Sequence, residues 1–149
     1  MKKVSVMLSI PVVLFYVLAF TFQKEERVSL TVEVSDLKNS NGQVIFSLYN
    51  KDGSIPDEEL KNFYKNSKVD ISNKSAQTTF KNLPKGKYAV NIVHDENKNG
   101  KIDKGWILPI EGIGFSNFKS IGFSNKPNFK KASFDLNTNR SITVKTIYM

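Results

Sequence analysis

Residues 28–35 read Val-Ser-Leu-Thr-Val-Glu-Val-Ser, with an apolar side chain at every second position. Successive side chains of a β-strand point to opposite faces, so this alternation predicts a strand with one buried face. The same pattern recurs at 87–93, where Tyr88, Val90 and Ile92 form the apolar face. Further runs predict strands at 43–49 (with Val44, Phe46 and Leu48 on one face), 68–72, 77–80, 132–136 and 141–148.

Turn-rich segments separate these roughly seven short strands, a spacing typical of an all-β protein. We predict a single antiparallel β-sandwich domain over residues 28–149. One long loop, residues 94–130, follows the central strand, and loops of this length are usually functional or held in place. Residues 56–64 are expected to form one or two helical turns. The repeated Ile-Gly-Phe-Ser-Asn at 113–117 and 121–125 predicts two similar turns.

The N-terminal segment has the layout of an export signal. Lys2 and Lys3 precede an uncharged, mainly apolar run at 4–22, and a charged segment follows it. This layout is typical of a secretory signal peptide, and the run also approaches the ~20 residues that span a bilayer. We predict that residues 1–23 are a signal peptide or an N-terminal membrane-anchor helix. In either case the domain lies outside the cytoplasm, in the periplasm, on the cell surface or in the medium.

The formal net charge is +8, and nearly all the basic residues are lysines scattered along the chain. Nucleic-acid sites usually combine arginine forks with stacked aromatic rings, whereas this chain has only Arg27 and Arg140. We therefore expect no nucleic-acid partner, and contact with a membrane only through the N-terminal segment. The absence of cysteine excludes disulfides, thiolate metal sites and a lipid-modified N-terminal cysteine.

Residues 95–103, Asp-Glu-Asn-Lys-Asn-Gly-Lys-Ile-Asp, carry oxygen-bearing side chains at alternate positions and a glycine at the sixth. Calcium takes about six to eight oxygen ligands, and the glycine permits the sharp turn that lets them converge. The pattern predicts a calcium-type loop on a β scaffold, not an EF-hand, because Trp106 occupies the twelfth position. The expected ligands are Asp95, Asn97, Asn99, the backbone carbonyl of Lys101, Asp103, and Glu111 as the nearest further carboxylate.

The same residue types also form ordinary turns through hydrogen bonds from side chain to backbone, so a metal-free turn is the alternative. The loop offers two or three carboxylates, while Lys98, Lys101 and Lys104 repel a cation. The expected affinity is therefore weak, with a dissociation constant of roughly 10⁻⁴ to 10⁻³ M, as in extracellular modules. Such an ion is structural and does not act as a switch.

Two other features allow alternative functions. His94 is the only histidine, and it is either a general base or ligand, or an imidazole at the end of a strand that is hydrogen-bonded to the loop. If His94 is a general base, the protein is a hydrolase centred on this residue, which is an alternative hypothesis. No serine, cysteine or second histidine marks a catalytic triad with it. Aromatic residues of the long loop either pack onto the sandwich or form a platform for a carbohydrate or peptide. These residues are Trp106, Phe115, Phe118, Phe123 and Phe129.

The chain resembles the secreted bacterial family of domain of unknown function 2141 from Leu30 to Tyr148. The resemblance rests on LTVEVSDLKNSNGQVIFSLYN, TTFKNLPKGKYAVNIVHDENKNGKID, PIEGIGFSN and KPNFKKASFDL. The run at 80–88, Phe-x-Asn-Leu-Pro-x-Gly-x-Tyr, is similar to prealbumin-like and carboxypeptidase-regulatory-like sandwiches. The resemblance implies an immunoglobulin-like or transthyretin-like fold and no enzymatic activity.

The sequence thus predicts an exported, non-enzymatic domain with a structural calcium loop. Its role is expected to be that of a binding or accessory module of the cell envelope. A cell-envelope protein or a polysaccharide is the expected kind of partner.

Overall fold

The computed structural model describes residues 26–106 and 109–149, which form eight strands and one short helix. The predicted signal or anchor segment, residues 1–23, lies outside the described residues. No helix within those described ranges is long and apolar enough to cross a membrane. The elements are β1 (Arg27–Val34), β2 (Gln43–Tyr49), β3 (Lys65–Asp70), β4 (Ala76–Pro84), β5 (Gly86–Asp95), β6 (Gly112–Phe115), α1 (Phe129–Ala132), β7 (Phe134–Leu136) and β8 (Arg140–Thr143).

The strands form two sheets, so the prediction of an all-β protein is confirmed. One sheet has the order β4-β1-β8, and the other has the order β3-β2-β5-β6, with β7 pairing to the start of β5. Every named strand pair is antiparallel except β1 with β8, which is parallel. The prediction of an antiparallel arrangement therefore holds for the other named pairs and is wrong for β1 with β8. β8 can lie parallel to β1 because β7 and β8 join different sheets and do not form a hairpin across residues 137–139.

The main core lies between the two sheets. It is built from the alternate residues that the sequence pattern selects: Leu30, Val32 and Val34 of β1, Val44, Phe46 and Leu48 of β2, and Tyr88, Val90 and Ile92 of β5. Burying each such side chain stabilises the fold by about 1.5–3 kcal/mol. Two sheets that enclose one core in this way are consistent with a β-sandwich.

β4 and β5 carry the chain from one sheet to the other. Only Lys85 separates the two strands, and the hydroxyl of Tyr88 donates to the carbonyl oxygen of Pro84 at 2.8 Å across the corner. The proline-glycine turn at 84–86 thus feeds β5, which lies between β2 and β6 in its sheet.

A second core covers the outer face of the larger sheet. Ile45, Tyr49, Ala89 and Val93 point away from the smaller sheet, yet all four are buried beneath loops. Because antiparallel sheets often leave one face in water, strand alternation alone does not predict this second layer. The covering residues are Ile55, Leu60, Phe115, Phe118, Phe129 and Ala132, with Ile102 and Ile121 packed against them.

The covering loops differ from the sequence predictions in three places. β6 and α1 both lie within or at the end of the stretch predicted to be irregular. Residues 56–64 form turns and bends, not a helix, because the Asp57 carboxylate accepts from the backbone N–H groups of Lys61 (3.0 Å) and Asn62 (2.8 Å). The two Ile-Gly-Phe-Ser-Asn copies also differ: the first contains most of β6, whereas the second closes a tight turn by pairing Gly122 with Asn125.

The connector between β1 and β2 packs tightly against the start of the predicted calcium loop. Gly42 has a φ of +75°, and a Cβ at this position would lie 2.0 Å from the backbone oxygen of Asp95. Gly53 has nearly the same φ of +76°, but its Cβ would meet nothing within 4 Å. Substitutions at these two positions therefore distinguish the energetic cost of a positive φ, which both share, from the cost of a steric clash, which only Gly42 has.

We predict that Gly42→Ala destabilises the protein more than Gly53→Ala. The positive φ costs about 1–2 kcal/mol in both variants, and overpacking adds about 1–3 kcal/mol in Gly42→Ala alone. The free energy of unfolding, measured in urea for both variants and the parent, tests this difference. Equal losses in the two variants would contradict the close packing of Gly42 on Asp95.

Candidate functional site

The predicted loop begins at Asp95, the last residue of β5, whose side chain is completely buried. Its Oδ1 accepts a hydrogen bond from the backbone N–H of Asn99 at 3.0 Å. Its Oδ2 accepts from the backbone N–H of Gly100 at 2.9 Å and from Nε2 of Gln43 on β2 at 2.7 Å. The loop turns sharply at Gly100, where φ is +76°. Asp95 thereby fastens the loop to two neighbouring strands.

The other predicted loop side chains lie together. Oδ1 of Asn97 accepts from the backbone N–H of Asn99 at 3.0 Å, and Oδ1 of Asn99 accepts from that of Lys101 at 2.8 Å. The amide nitrogens of Asn97 and Asn99 donate to the two carboxylate oxygens of Asp103, at 2.6 and 2.8 Å. The side chains of Asn97, Asn99 and Asp103 are thus joined by hydrogen bonds, whereas Asp95 holds the loop through the backbone of Asn99 and Gly100. Asn97 and Asn99 are exposed to solvent. Lys101 is tied to them through its backbone.

Glu111 joins the two ends of the loop, although it lies outside the pattern. Its Oε1 accepts from the backbone N–H of Glu96, and its Oε2 accepts from that of Asp103, both at 3.1 Å. The side chain is buried, with 4% of its surface exposed. Burial, with smaller contributions from the negative charges of Asp103 and Asp95, raises the pKa of Glu111 above its ordinary range. The two backbone hydrogen bonds act in the opposite direction.

The charges around this loop are unbalanced. Within residues 26–106 and 109–149, the carboxylates of Asp95, Asp103 and Glu111 form no ion pair. The loop lysines contact other acids: Lys98 pairs with Asp70 at 2.6 Å, and Lys104 pairs with Glu58. The cation that approaches the loop is Lys68, whose Nζ lies 2.8 Å from the place of a Cβ on Gly100.

The loop is a hydrogen-bonded turn and not a completed coordination shell. No three histidine, aspartate or glutamate side chains of the described ranges converge closely enough to hold a metal ion. The donors on Asp103 are neutral amides, and those on Asp95 and Glu111 are backbone N–H groups and one glutamine amide. Calcium binding by this loop therefore stays a prediction.

His94 connects three segments from the interior. It is completely buried, and its Nε2 donates to the backbone oxygen of Asn41 at 3.0 Å because a carbonyl oxygen can only accept. In the neutral ring, Nδ1 then accepts from the Tyr148 hydroxyl at 2.7 Å, which in turn accepts from the backbone N–H of Lys38 at 3.0 Å. His94 is therefore a hydrogen-bonded imidazole at a strand end, as one interpretation predicts, but its partners are the β1–β2 connector and Tyr148 and not the loop that follows β5. The ring presents no face to a substrate.

The loop aromatics fall into two groups. Phe115, Phe118 and Phe129 are buried in the second core, as the packing interpretation predicts. Trp106 and Phe123 are almost fully exposed, at 104% and 92% of their reference surface. Of these five side chains, Trp106 and Phe123 are the two that are open to solvent.

A cavity of about 450 Å³ lies beneath the same loops, and the sequence did not indicate it. A row of polar residues crosses the sheet at this level: Asn66 Nδ2 donates to Ser47 Oγ at 3.0 Å, and Ser47 is opposite Asn91 on β5. Asn91 lines the cavity, and its Nδ2 donates to the carbonyl oxygen of Gly114 at 3.4 Å. The only clue in the sequence is Asn91, a polar residue between Val90 and Ile92. Strand alternation, however, predicts that an asparagine at this position lies on an ordinary solvent-exposed face.

Comparison with protein families matches residues 32–144 to a family described as an uncharacterized protein conserved in bacteria (DUF2141). The chain belongs to this family. The match begins within β1 and ends one residue after β8, so the DUF2141 region includes the Asp95 loop, Glu111 and Asn91. The comparisons with curated proteins and with solved structures give no match.

The raised pKa of Glu111 predicts how the stability of this DUF2141 domain depends on pH without divalent ions. Between the ordinary glutamate value near 4.5 and the raised value, the folded state binds more protons than the unfolded state. The contribution of Glu111 to stability is therefore present at low pH and is lost as pH rises through this window. As the pH rises through this window, the unfolding free energy of the parent should therefore fall relative to that of Glu111→Gln. Urea unfolding from pH 4 to pH 8 in chelator, a range that brackets about 4.5, measures it.

Glu33→Gln provides the control, because Glu33 is an exposed residue of β1. Its difference from the parent should change less with pH than that of Glu111→Gln. If the unfolding free energy of the parent stays constant relative to Glu111→Gln, or rises relative to it with pH, Glu111 is not a buried carboxylate repelled by its neighbours.

Proposed function

We propose that the protein is an exported, non-enzymatic domain of the cell envelope whose Asp95–Asp103 loop binds a weak structural calcium ion. The observation that carries this proposal is the burial of Asp95 and Glu111 without an ion-pair partner among the described residues. The proposed fold type is an immunoglobulin-like or transthyretin-like sandwich, with residues 1–23 as signal peptide or anchor.

The electrostatics of the loop favour a divalent cation. Asp95 and Glu111 are hydrogen-bonded, but neither is paired with a compensating positive charge among the described residues, and the negative charges of Asp103 and Asp95 act unfavourably on Glu111. A cation would reduce this repulsion. A hard cation is suited to carboxylate, amide and carbonyl oxygens, which Asn97, Asn99 and the Lys101 carbonyl supply. The polar groups of the loop are already gathered by hydrogen bonds, so binding would require adjustment of side chains and not of the fold.

The expected stabilisation is small. With a dissociation constant of roughly 10⁻⁴ to 10⁻³ M, millimolar calcium stabilises the folded state by about 1–2 kcal/mol. The nearby ammonium of Lys68 opposes the ion. A site this weak is suited to a compartment where calcium is abundant, which agrees with export from the cytoplasm.

The non-enzymatic role is supported by the position of His94. Its burial and its two hydrogen bonds keep the imidazole away from solvent, which argues against a hydrolase centred on His94. A second candidate function, binding of a carbohydrate or peptide from the envelope, is supported by the exposure of Trp106 and Phe123. An envelope protein or polysaccharide remains the proposed partner class.

The calcium proposal predicts that the midpoint of thermal unfolding rises when calcium is added to metal-free protein. A gain of about 1–2 kcal/mol corresponds to a rise of roughly 3–8 °C for a domain of this size. Asp95→Asn keeps the side-chain shape but removes one charge, so the calcium-dependent rise should be lost or reduced. Differential scanning fluorimetry with calcium, magnesium and terbium measures these shifts.

Asp52→Asn is the matched control, because Asp52 is exposed in a turn of the 50–53 connector. It should keep the full calcium response. An unchanged midpoint at millimolar calcium, or an equal response in Asp95→Asn, would contradict the proposal.

Export has a separate measurement. We expect the protein, expressed in a bacterial host, to be recovered from the periplasm, the membrane fraction or the medium. Mass spectrometry of the recovered chain then distinguishes cleavage near residue 23 from a retained anchor. Recovery of uncleaved protein from the cytosol would contradict the export proposal.

A further inference from the structure

Exposed apolar side chains concentrate around the rim of the cavity. Phe123 and Met149 line it, and Trp106 lies in the hairpin that Lys104 and Pro109 close, both of which are lining residues. Six large hydrophobic side chains of the described residues are exposed, and four of them belong to this rim or its hairpin: Trp106, Ile110, Phe123 and Met149. Single exposed apolar residues are ordinary, whereas a group of them marks an interaction surface.

The two aromatic rings lie at the tips of loops and not in a groove. The turn that carries Phe123 is closed by the backbone N–H of Asn125, which donates to the carbonyl oxygen of Gly122 at 3.0 Å. The side chain of Asn125 also donates to the carbonyl oxygen of Ser120 at 2.8 Å. Trp106 and Phe123 are 104% and 92% exposed, so hydrogen-bonded turns hold both rings with almost no protein surface against them.

The segment that carries Phe123 is basic. Residues 112–134 contain four lysines and no aspartate or glutamate. All four lysines are exposed, and none forms an ion pair with another described residue: Lys119, Lys126, Lys130 and Lys131. This segment therefore presents an excess of positive charge to solvent.

Packing places these lysines on the same side of the molecule as the aromatic rings. Phe118, Ile121 and Phe129 of this segment pack into the second core, on the outer face of the larger sheet. Lys119 lies between the first two of these anchors, and the remaining three lysines follow Ile121. Because the anchors face the sheet, the exposed side chains between and after them lie on the outside of the covering layer.

The charges that line the cavity cancel, so the excess lies around it. Lys104 pairs with Glu58, and Lys126 is balanced by the buried carboxylate of Asp57. The net positive charge comes from Lys119 and from the two lysines of α1, which are not lining residues. The carboxylates of the Asp95–Asp103 loop act in the opposite direction.

A fluid anionic surface fits this arrangement better than a folded partner. A rigid partner needs a pocket for each protruding ring, whereas lipid head groups and upper acyl chains can part around it. Tryptophan is enriched at the interface between membrane and water, and lysine stems lie along apolar surface while the ammonium group stays in water. Grouped lysines are attracted to anionic lipids.

We propose that this side of the domain docks on the surface of a bilayer that contains anionic lipid. Trp106, Ile110 and Phe123 enter the region between head groups and acyl chains, and the lysines of residues 112–134 lie at the level of the phosphates. This contact is additional to any membrane contact of residues 1–23. It requires no calcium, so it can fail independently of the calcium proposal.

The experiment uses Trp106 as its reporter, because it is the only tryptophan of the chain. Its fluorescence therefore reports on the docking surface and not on the N-terminal segment. The purified full chain is mixed, in chelator, with vesicles of phosphatidylglycerol and phosphatidylcholine, with and without brominated acyl chains. Trp106 emission should move to shorter wavelength and be quenched by the brominated lipid. With pure phosphatidylcholine, the ratio of quenched to unquenched protein should be at least about tenfold lower.

Two variants that keep the reporter test the two parts of the surface. Phe123→Ser should lower the ratio of quenched to unquenched protein at least about fivefold, because one ring no longer leaves water. Lys119→Gln should lower it roughly fivefold, the effect of one lysine near an anionic surface. Lys81→Gln is the matched control and should leave the ratio unchanged, because Lys81 is an exposed residue of β4 in the other sheet.

Three results would overturn the proposal. The first is Trp106 emission that anionic vesicles leave unchanged. The second is a vesicle response that either Phe123→Ser or Lys119→Gln leaves at the parent level. The third is a response to soluble dextran with none to vesicles, which would assign the two rings to carbohydrate binding.

Discussion

The buried carboxylate of Asp95 is the interaction on which the candidate loop depends. Asp95 is the last residue of β5. Its carboxylate accepts a hydrogen bond from Gln43 of β2 and holds the backbone of Asn99 and Gly100 in a sharp turn. Without these acceptors, the loop N–H groups would have to find water or other partners. The close approach of Gly42 to the Asp95 carbonyl couples the β1–β2 connector to the same point. One residue thus links two strands, a connector and the loop.

The second dependence is the burial of the larger sheet on both faces. The long stretch after β5 is not an excursion into solvent, because Phe118, Phe129 and β6 pack it onto the sheet. Glu111 connects this layer to the Asp95 loop through the backbones of Glu96 and Asp103. The cavity lies where the layer fails to fill the space above Asn91. The loops that cover the outer face of the larger sheet therefore form both the Asp95 loop and the cavity, although the two differ in chemistry.

Sequence reasoning predicted what depends on local pattern. The alternation of β1, β2 and β5 predicted the inner core, and the spacing of Asp95, Asn97, Asn99 and Asp103 predicted the side chains that the structure joins. It missed β6, because Gly-Ile-Gly-Phe has no polar alternation and its pairing with β5 and Ile147 is long-range. It missed the parallel β1–β8 pair for the same reason. The burial of Asn91 was hidden because nothing local to β5 shows that loops cover its second face.

The most direct test of this account is hydrogen exchange at the backbone amides of Glu96, Asn99, Gly100 and Asp103 in metal-free protein. These four N–H groups donate to the carboxylates of Asp95 and Glu111, so they should exchange far more slowly than the amides of the 50–53 turn. In Asp95→Asn, protection of Asn99 and Gly100 should fall, while Glu96 and Asp103 keep more of theirs. Exchange of all four amides at the rate of an unstructured peptide would contradict the central role of the buried carboxylates.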